Sequence, residues 1–338
     1  MTAIDLDVPT VGLLDETAWL VLVGVFAVLV IASVVTAVLE RTLDRERHAS
    51  LLSNLRARIG AWWVMTGGLA AALAIGETAV VLLFALISFL ALREFITISP
   101  TTQRDHSALV WMFWIILPLH YFSVWQHWYG FFAVFIPVYA FLFLPARQAL
   151  SGETKGFLRR ASVVQWSLMV CVYAASHVPA LLQLPVAIEQ GRAAAEGSPP
   201  DAGGPAGAHL LLFLVLVVQG SDVLQYVWGK TLGRHPIAPR VSPNKTWEGF
   251  VGGVLSATAL GAGLWWLTPF TAWQAAAFAL ISCLLGFAGG LVMSSIKRDR
   301  GVKDFGALIP GHGGVMDRID SLVFAGPVFF HLVRFFYS

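Results

Sequence analysis

The residues best suited to chemistry are concentrated in one polar segment, Ser294–Asp320, which stands between two apolar runs. Glycines on both sides of His312 permit a tight backbone turn and the close approach of a ligand. Asp317 and Asp320 would share a helical face and could jointly hold a cation, since Mg²⁺ favours one or two carboxylates plus substrate phosphates. Nearby lysines and arginines would neutralise the remaining phosphate charge. The candidate catalytic residues are Lys297, Arg298, Lys303, Asp304, His312, Asp317, Arg318 and Asp320.

A second polar group, Gln219–Tyr226, lies inside an apolar run. A carboxylate within a membrane is costly unless it faces a partner or a wet cavity. Asp222 is therefore predicted to face the site, where it could bind substrate or metal. The alternative is a polar helix end beside the lipid headgroups.

The loop that follows, Gly229–Gly249, combines four cations with Gly, Pro and hydroxyl residues and runs directly into an apolar segment. Thr246 is predicted to be a helix N-cap, with Glu248 in the first turn. A helix N-terminus beside Lys245 is a ready anion site, although an ordinary basic loop touching anionic lipid would look similar. The substrate-binding candidates in this loop are Lys230, Arg234, Ser242, Asn244, Lys245 and Thr246.

The elements that must position these residues are membrane helices. The chain has 338 residues, 57% hydrophobic and only 12% charged, whereas a soluble domain carries about 25% charged residues. At roughly 20 apolar residues per crossing, we predict an all-α polytopic integral membrane protein with about nine or ten transmembrane helices. The ten candidate spans are 17–39, 60–76, 78–98, 107–125, 129–146, 161–184, 209–228, 249–268, 272–293 and 321–337.

Basic residues are divided unequally between the two sides of this arrangement. When alternate loops are threaded to one side, that side collects 20 of the 22 lysines and arginines, and only Arg192 and Arg334 fall elsewhere. The positive-inside rule places this side in the cytoplasm, with both termini outside. The segment Pro185–Ala208, rich in Gly, Pro and Ala, is predicted to be a flexible outer connector. It divides an N-terminal multi-span region, 1–208, from a C-terminal catalytic region, 209–338.

The C-terminal region resembles a known family. Ser294–Asp320 is similar throughout to the signature of phosphatidate cytidylyltransferases: Ser, Lys-Arg, Lys-Asp, His-Gly-Gly and Asp-Arg-x-Asp stand at the family's spacing. Ser242–Gly249 resembles a second family block, so the likeness covers 209–338, while the N-terminal half matches only as a hydrophobic region. The resemblance implies a Mg²⁺-dependent enzyme of the bacterial inner membrane that condenses CTP with phosphatidate, giving CDP-diacylglycerol and pyrophosphate.

The resemblance also implies roles for the candidate residues. Mg²⁺ would be held by Asp317 and Asp320, with Asp304 and Asp222 as further metal candidates and room for a second cation. His312 would either bond a phosphate or fix the turn. A homodimer is expected, and no nucleic-acid partner. Phosphates would be bound by Lys297, Arg298, Lys303, Ser242, Asn244 and Lys245.

Two places depart from the family pattern. Bacterial members usually carry Gly-Asp four residues before the signature serine, where this chain has Gly289 and Gly290, as eukaryotic members do. One expected carboxylate is therefore missing, and the number of bound metals is open. At Ser221–Lys230, Ser-Asp-x-x-Gln-Tyr replaces the common Asn-Asp-x-x-Ala-Tyr. This change indicates a divergent branch and allows a different lipid phosphate as substrate.

Two other functions are compatible with these residues. A CTP-dependent kinase of a lipid alcohol such as a polyprenol, from the same broad superfamily, would release CDP rather than pyrophosphate. A non-catalytic paralogue that binds lipid is supported only by Gly290, and the otherwise intact signature argues against it.

Overall fold

The computed structural model describes residues 12–42, 45–186, 205–311 and 313–337. Most of the predicted connector Pro185–Ala208 and the candidate residue His312 lie outside these ranges. The described residues form eleven helices, one separate 3-10 turn (Trp265–Leu267) and one two-stranded hairpin, which confirms the all-α polytopic class. The helices are α1 Glu16–Thr42, α2 Arg45–Ile75, α3 Glu77–Thr97, α4 Gln103–Trp125, α5 Tyr129–Ala149, α6 Phe157–Gln183, α7 Pro205–Leu232, α8 Trp247–Gly263, α9 Ala272–Asp299, α10 Met316–Ile319 and α11 Leu322–Tyr337.

Each of the ten predicted spans overlaps one helix. Eight helices of the described chain are long and apolar enough to cross a membrane. The other two, α8 and α11, have 17 and 16 residues, fewer than the roughly 20 that a full crossing needs. Both short helices begin directly after a polar segment that the sequence assigns to the site. In the bundle, α6 is the most enclosed, with 67% of its apolar window buried against 22% for α1.

The loop between α7 and α8 contains a β-hairpin that the sequence did not predict. Strand β1 (Pro236–Ala238) pairs antiparallel with β2 (Ser242–Thr246). Glu248 holds the start of the hairpin, because its Oε2 accepts from the backbone N–H groups of Arg234 and His235 at 3.0 and 3.2 Å. Thr246 caps α8 as predicted, since its hydroxyl accepts from the Gly249 N–H at 3.2 Å. The hairpin therefore presents the substrate-binding candidates of β2 at the N-terminus of α8.

Glycines bring α7 and α8 into close contact within one chain. A Cβ on Gly249 would lie 2.8 Å from the Gln225 carbonyl oxygen, and one on Gly253 would lie 2.5 Å from the Gln225 nitrogen. Real Cβ atoms do not approach so closely, and small residues of this kind are what lets membrane helices pack backbone to backbone. Because the hairpin leads directly into α8, this close packing also holds it near α7, the helix that carries Asp222.

Helix α9 is longer than predicted and takes in the first residues of the polar segment. The sequence ends this span at residue 293, but the helix continues to Asp299. Gly301, two residues beyond the helix end, has φ +69° and turns the chain away from the helix axis. The N–H groups of Gly301 and Val302 donate to the carbonyls of Arg298 and Lys297 at 3.0 and 2.9 Å, a Schellman arrangement that satisfies the last turn. Lys297 and Arg298 therefore stand on a rigid helix, where basic residues also complement the helix dipole.

Candidate active site

A cavity of about 260 Å³ lies where α7, β2, α8, α9 and the α10–α11 junction meet. Half of its lining residues were predicted from the sequence, and they come from three separate segments. The predicted residues that line it are Asp222, Asn244, Lys245, Thr246, Asp317, Arg318 and Asp320. The others are Gln225, Tyr226, Gly249, Phe250, Phe287, Gly290 and Ser321.

Two carboxylates converge in this cavity through one serine. The Ser321 hydroxyl donates to Asp222 Oδ2 at 2.6 Å and lies 3.4 Å from Asp320 Oδ1. The Ser321 N–H also donates to Asp320 Oδ1, at 2.9 Å. Burial, together with the neighbouring Asp222 carboxylate, raises the pKa of Asp320 to about 6. Such a pair is stabilised in its charged form by a cation placed against both groups.

Lys245 supplies positive charge to the same wall of the cavity. Its ammonium group lies 4.8 Å from the Phe287 ring centroid and packs against Gly290, where a Cβ would lie only 2.7 Å from Nζ. Burial lowers the pKa of Lys245, and the carboxylates of Asp222 and Asp320 oppose this shift. The absence of a side chain at Gly290 thus leaves room for the lysine.

Asp317 is the most fully bonded of the predicted metal ligands. Its Oδ1 accepts from Lys297 Nζ at 2.6 Å, and its Oδ2 accepts from the N–H groups of Phe305 and Gly314 at 2.8 and 3.0 Å. The side chain is 2% exposed, so these bonds satisfy a carboxylate that would otherwise be costly to bury. Asp317 folds the polar segment back onto α9, and its binding of a metal stays a prediction.

The two predicted arginines of the segment behave differently. Arg318 lines the cavity, and its Nε is buried with no hydrogen-bond partner among the described residues. Arg298 is exposed, and it donates to the carbonyls of Val241 and Val302 at 3.2 and 2.9 Å. Arg318 is therefore available to an anion in the cavity, whereas Arg298 links the hairpin to the polar segment.

The structure does not bring every candidate to the cavity. Asp304 does not line the cavity, although it lies near Asp317: a Cβ on Gly313 would be 2.9 Å from Asp317 Oδ2 and 3.1 Å from Asp304 Cβ. Lys303 is exposed on the same segment. Ser242 begins β2 at the far end of the strand from Thr246. The two cations that precede the hairpin, Lys230 and Arg234, are exposed and do not line the cavity.

Sequence reasoning missed Glu94, which reaches the polar segment from α3. Its Oε1 accepts from the Val315 N–H at 3.0 Å and its Oε2 accepts from the Met316 N–H at 2.9 Å. The available signal was the one that singled out Asp222, a carboxylate inside an apolar run. Glu94 escaped notice because it stands more than 200 residues before the segment that it contacts.

Known proteins resemble this chain either over most of its length or over about a third of it. Residues 56–336 match the model of the Cytidylyltransferase family, so the likeness reaches far beyond the predicted 209–338. A protein of Escherichia coli (strain K12) with the name Uncharacterized protein YnbB is 38% identical over 318 residues, 93% of this chain and 97% of that protein. The phosphatidate cytidylyltransferase of Mycobacterium leprae (strain TN) is 44% identical over 120 residues, 35% of this chain and 38% of that enzyme. That of Staphylococcus aureus (strain COL) is 40% identical over 124 residues, 36% of this chain and 48% of that enzyme.

Proposed function

Because the chain belongs to the cytidylyltransferase family, we propose that it is a phosphatidate cytidylyltransferase, which joins CTP to phosphatidate and releases pyrophosphate. Membership of this family and the eight apolar helices support the assignment as a membrane nucleotidyltransferase. The choice of phosphatidate rests on the partial relatives that carry that name. The observation that carries the proposal is a single cavity lined by two converging carboxylates, Asp222 and Asp320, and two cations, Lys245 and Arg318.

The reaction needs this mixture of charges. An oxygen of the lipid phosphate attacks the α-phosphorus of CTP, a new P–O bond forms, and the bond to the β-phosphate breaks as pyrophosphate leaves. Both reactants are anions, so the enzyme must mainly hold them in line and neutralise their charge. Lys245 and Arg318 both line the cavity, and we assign them to phosphate oxygens of the two reactants.

The carboxylates fit a divalent cation. Among the described residues no three His, Cys, Asp or Glu side chains are grouped around one metal position. Mg²⁺ accepts fewer protein ligands than that, because it commonly binds one or two carboxylates and completes its shell with water and substrate phosphates. Asp222 and Asp320 would hold the ion, whose charge would neutralise the triphosphate. Asp317 and Asp304 remain further candidates.

The cavity volume limits what it encloses. At about 260 Å³ it is below the roughly 300–1,000 Å³ of pockets that surround a whole small molecule. We therefore place only the triphosphate and the lipid phosphate inside it, with the nucleoside over the hairpin and the acyl chains in the bilayer. The loops that carry residues of the cavity belong to the side with the excess of lysine and arginine, which argues for a site on the cytoplasmic face. The bacterial relatives favour the bacterial inner membrane.

The test is an assay of the purified protein in lipid nanodiscs with CTP, Mg²⁺ and a panel of lipid phosphates, scored for pyrophosphate and CDP-lipid. Formation of both with phosphatidate supports the proposal. Release of CDP with a lipid alcohol would instead identify a kinase, and no product with any lipid would favour a lipid-binding paralogue. Replacing CTP by dCTP, and varying the acyl chains, would then define the substrate range.

A further inference from the structure

The polar segment that carries Asp317, Arg318 and Asp320 is held from the N-terminal region by one carboxylate. Glu94 on α3 accepts two backbone hydrogen bonds, one on each carboxylate oxygen, from Val315 and Met316. These N–H groups belong to the N-cap and the first residue of α10. They have no partner inside the helix, so Glu94 satisfies donors that would otherwise be left open.

The segment is shaped to admit this carboxylate. A Cβ on Gly314 would lie 2.3 Å from Glu94 Oε2, and one on Gly306 would lie 2.6 Å from Oε1. Both distances are far below any real Cβ contact, so a larger residue at either position would displace Glu94. Next to it, the rings of Phe95 and Phe305 stack with centroids 5.6 Å apart.

Glu94 and Asp317 accept hydrogen bonds from adjacent residues of the same backbone segment. Asp317 draws the N–H groups of Phe305 and Gly314 toward α9. Glu94 takes the next N–H groups along the chain, those of Val315 and Met316. The backbone that these two carboxylates bind continues directly into Arg318 and Asp320, which line the cavity.

We propose that Glu94 is a positioning residue for nucleotidyl transfer, which sets the height and rotation of α10 so that Arg318 and Asp320 face the cavity. The inference rests on the proposed function for its kinetic part. A displacement of about 1 Å at a reacting group can cost roughly 10²-fold in rate. A carboxylate with two bonds to the backbone of a one-turn helix can supply that degree of constraint.

The test compares Glu94→Gln and Glu94→Asp with wild type in nanodiscs. The Gln amide retains one acceptor oxygen but turns its NH₂ toward the second N–H, and Asp is too short to reach both. We expect kcat to fall roughly 10²-fold with KM for CTP within about threefold, and Tm to fall by only a few degrees, because the hydrogen bonds lost lie at a single turn. Amide hydrogen exchange should rise about tenfold in peptides covering 313–317, and not in α7 or α8. Glu153→Gln, the same chemical change at a surface ion pair with Arg104, should alter neither kcat nor the hydrogen exchange of 313–317.

A double variant checks that the effect passes through this contact. Gly314→Ala should displace Glu94, so Glu94→Gln combined with Gly314→Ala should be little worse than either single variant. Wild-type kcat in Glu94→Gln overturns the inference, as does lost activity with unchanged exchange at 313–317 or with exchange raised throughout the bundle. If the wild-type protein has no transferase activity, the proposed function fails, and the hydrogen-exchange result still decides whether Glu94 positions the segment.

Discussion

Two buried polar clusters in this molecule use the same kinds of residue in different ways. In the N-terminal region, Asp105 accepts from Gln148 and Arg160 on one oxygen and from Thr102 on the other. The remaining guanidinium nitrogens of Arg160 donate to the carbonyls of Glu153 and Lys155. The charged groups of Asp105 and Arg160 are thus fully bonded and join the start of α4 to the α5–α6 loop and the start of α6. In this cluster only the uncharged Gln148 Oε1 lacks a partner among the described residues.

The second cluster, formed by Asp222, Lys245, Arg318, Asp320 and Ser321, leaves groups available. Arg318 Nε has no partner in the described part of the chain, and Lys245 packs against an aromatic ring and a glycine rather than against a fixed acceptor. Buried polar groups are normally satisfied, and the exceptions need a reason. A binding site therefore differs from a structural cluster in having unpaired charged groups beside a cavity, and buried charge alone does not distinguish the two.

Asp320→Asn should have the largest effect on catalysis. We expect CDP-lipid formation to fall by roughly 10³-fold, because the amide loses the negative charge that would hold a cation opposite Asp222. Turnover at saturating CTP and phosphatidate is the measurement. Asp299→Asn serves as the control, since Asp299 is 69% exposed at the end of α9 and pairs only with its neighbour Arg300 among the described residues. Comparable losses in both variants would remove Asp320 from the site.

The Asp105 cluster should respond in the opposite manner. Arg160→Met leaves Asp105 buried without its cation, which costs about 3–5 kcal/mol of stability. We expect a lower midpoint of thermal unfolding in detergent, with kcat per folded molecule unchanged. Arg159→Met is the matched control, because the neighbouring Arg159 is exposed. A loss of turnover without a loss of stability would show that this cluster also serves the reaction.

Much of the fold could be predicted from the sequence, because the relevant signals are local. The ten apolar runs matched ten helices, and the Thr246 cap follows from one hydroxyl before an apolar segment. The hairpin Pro236–Thr246 was missed, since three- and five-residue strands in a loop rich in Pro and cations show little alternation of apolar and polar side chains. The end of α9 was misplaced because charge was taken as the limit of the helix.

The site could be predicted only in part, for a physical reason. Residue types identified Asp222, Lys245, Arg318 and Asp320, and all four line the cavity. Type and spacing do not reveal which oxygens are already bonded, so Asp317 looked like a free ligand although Lys297 and two backbone groups hold it. Contacts between distant segments, such as that of Glu94, leave even less trace in the local sequence.

Arg318 offers a finer test of the idea that an unpartnered group marks the site. Arg318→Gln should lower kcat/KM for CTP by roughly 10²-fold, because the cation that we assign to the triphosphate is lost without breaking any side-chain bond of the described structure. Stability should hardly change. Arg240→Gln, at an exposed position of the hairpin turn, is the control and should lie within about twofold of wild type. If Arg318→Gln instead unfolds the protein, the Arg318 guanidinium has a structural role, as that of Arg160 does.

The smallest expected effect concerns Gly290. A new Cβ would lie 2.7 Å from Lys245 Nζ and 4.0 Å from Asp320 Oδ2, so Gly290→Asp would force the lysine to move and offer it a carboxylate. Lys245 would then be paired with a carboxylate, as Arg160 is, and would be less available to bind phosphate. We expect KM for CTP to rise about tenfold, the equivalent of roughly 1.4 kcal/mol, with Gly290→Ala separating the steric part from the charge. An unchanged KM together with a higher Mg²⁺ affinity would mean that the added carboxylate joins Asp222 and Asp320 on the metal instead, and that Lys245 does not carry the triphosphate.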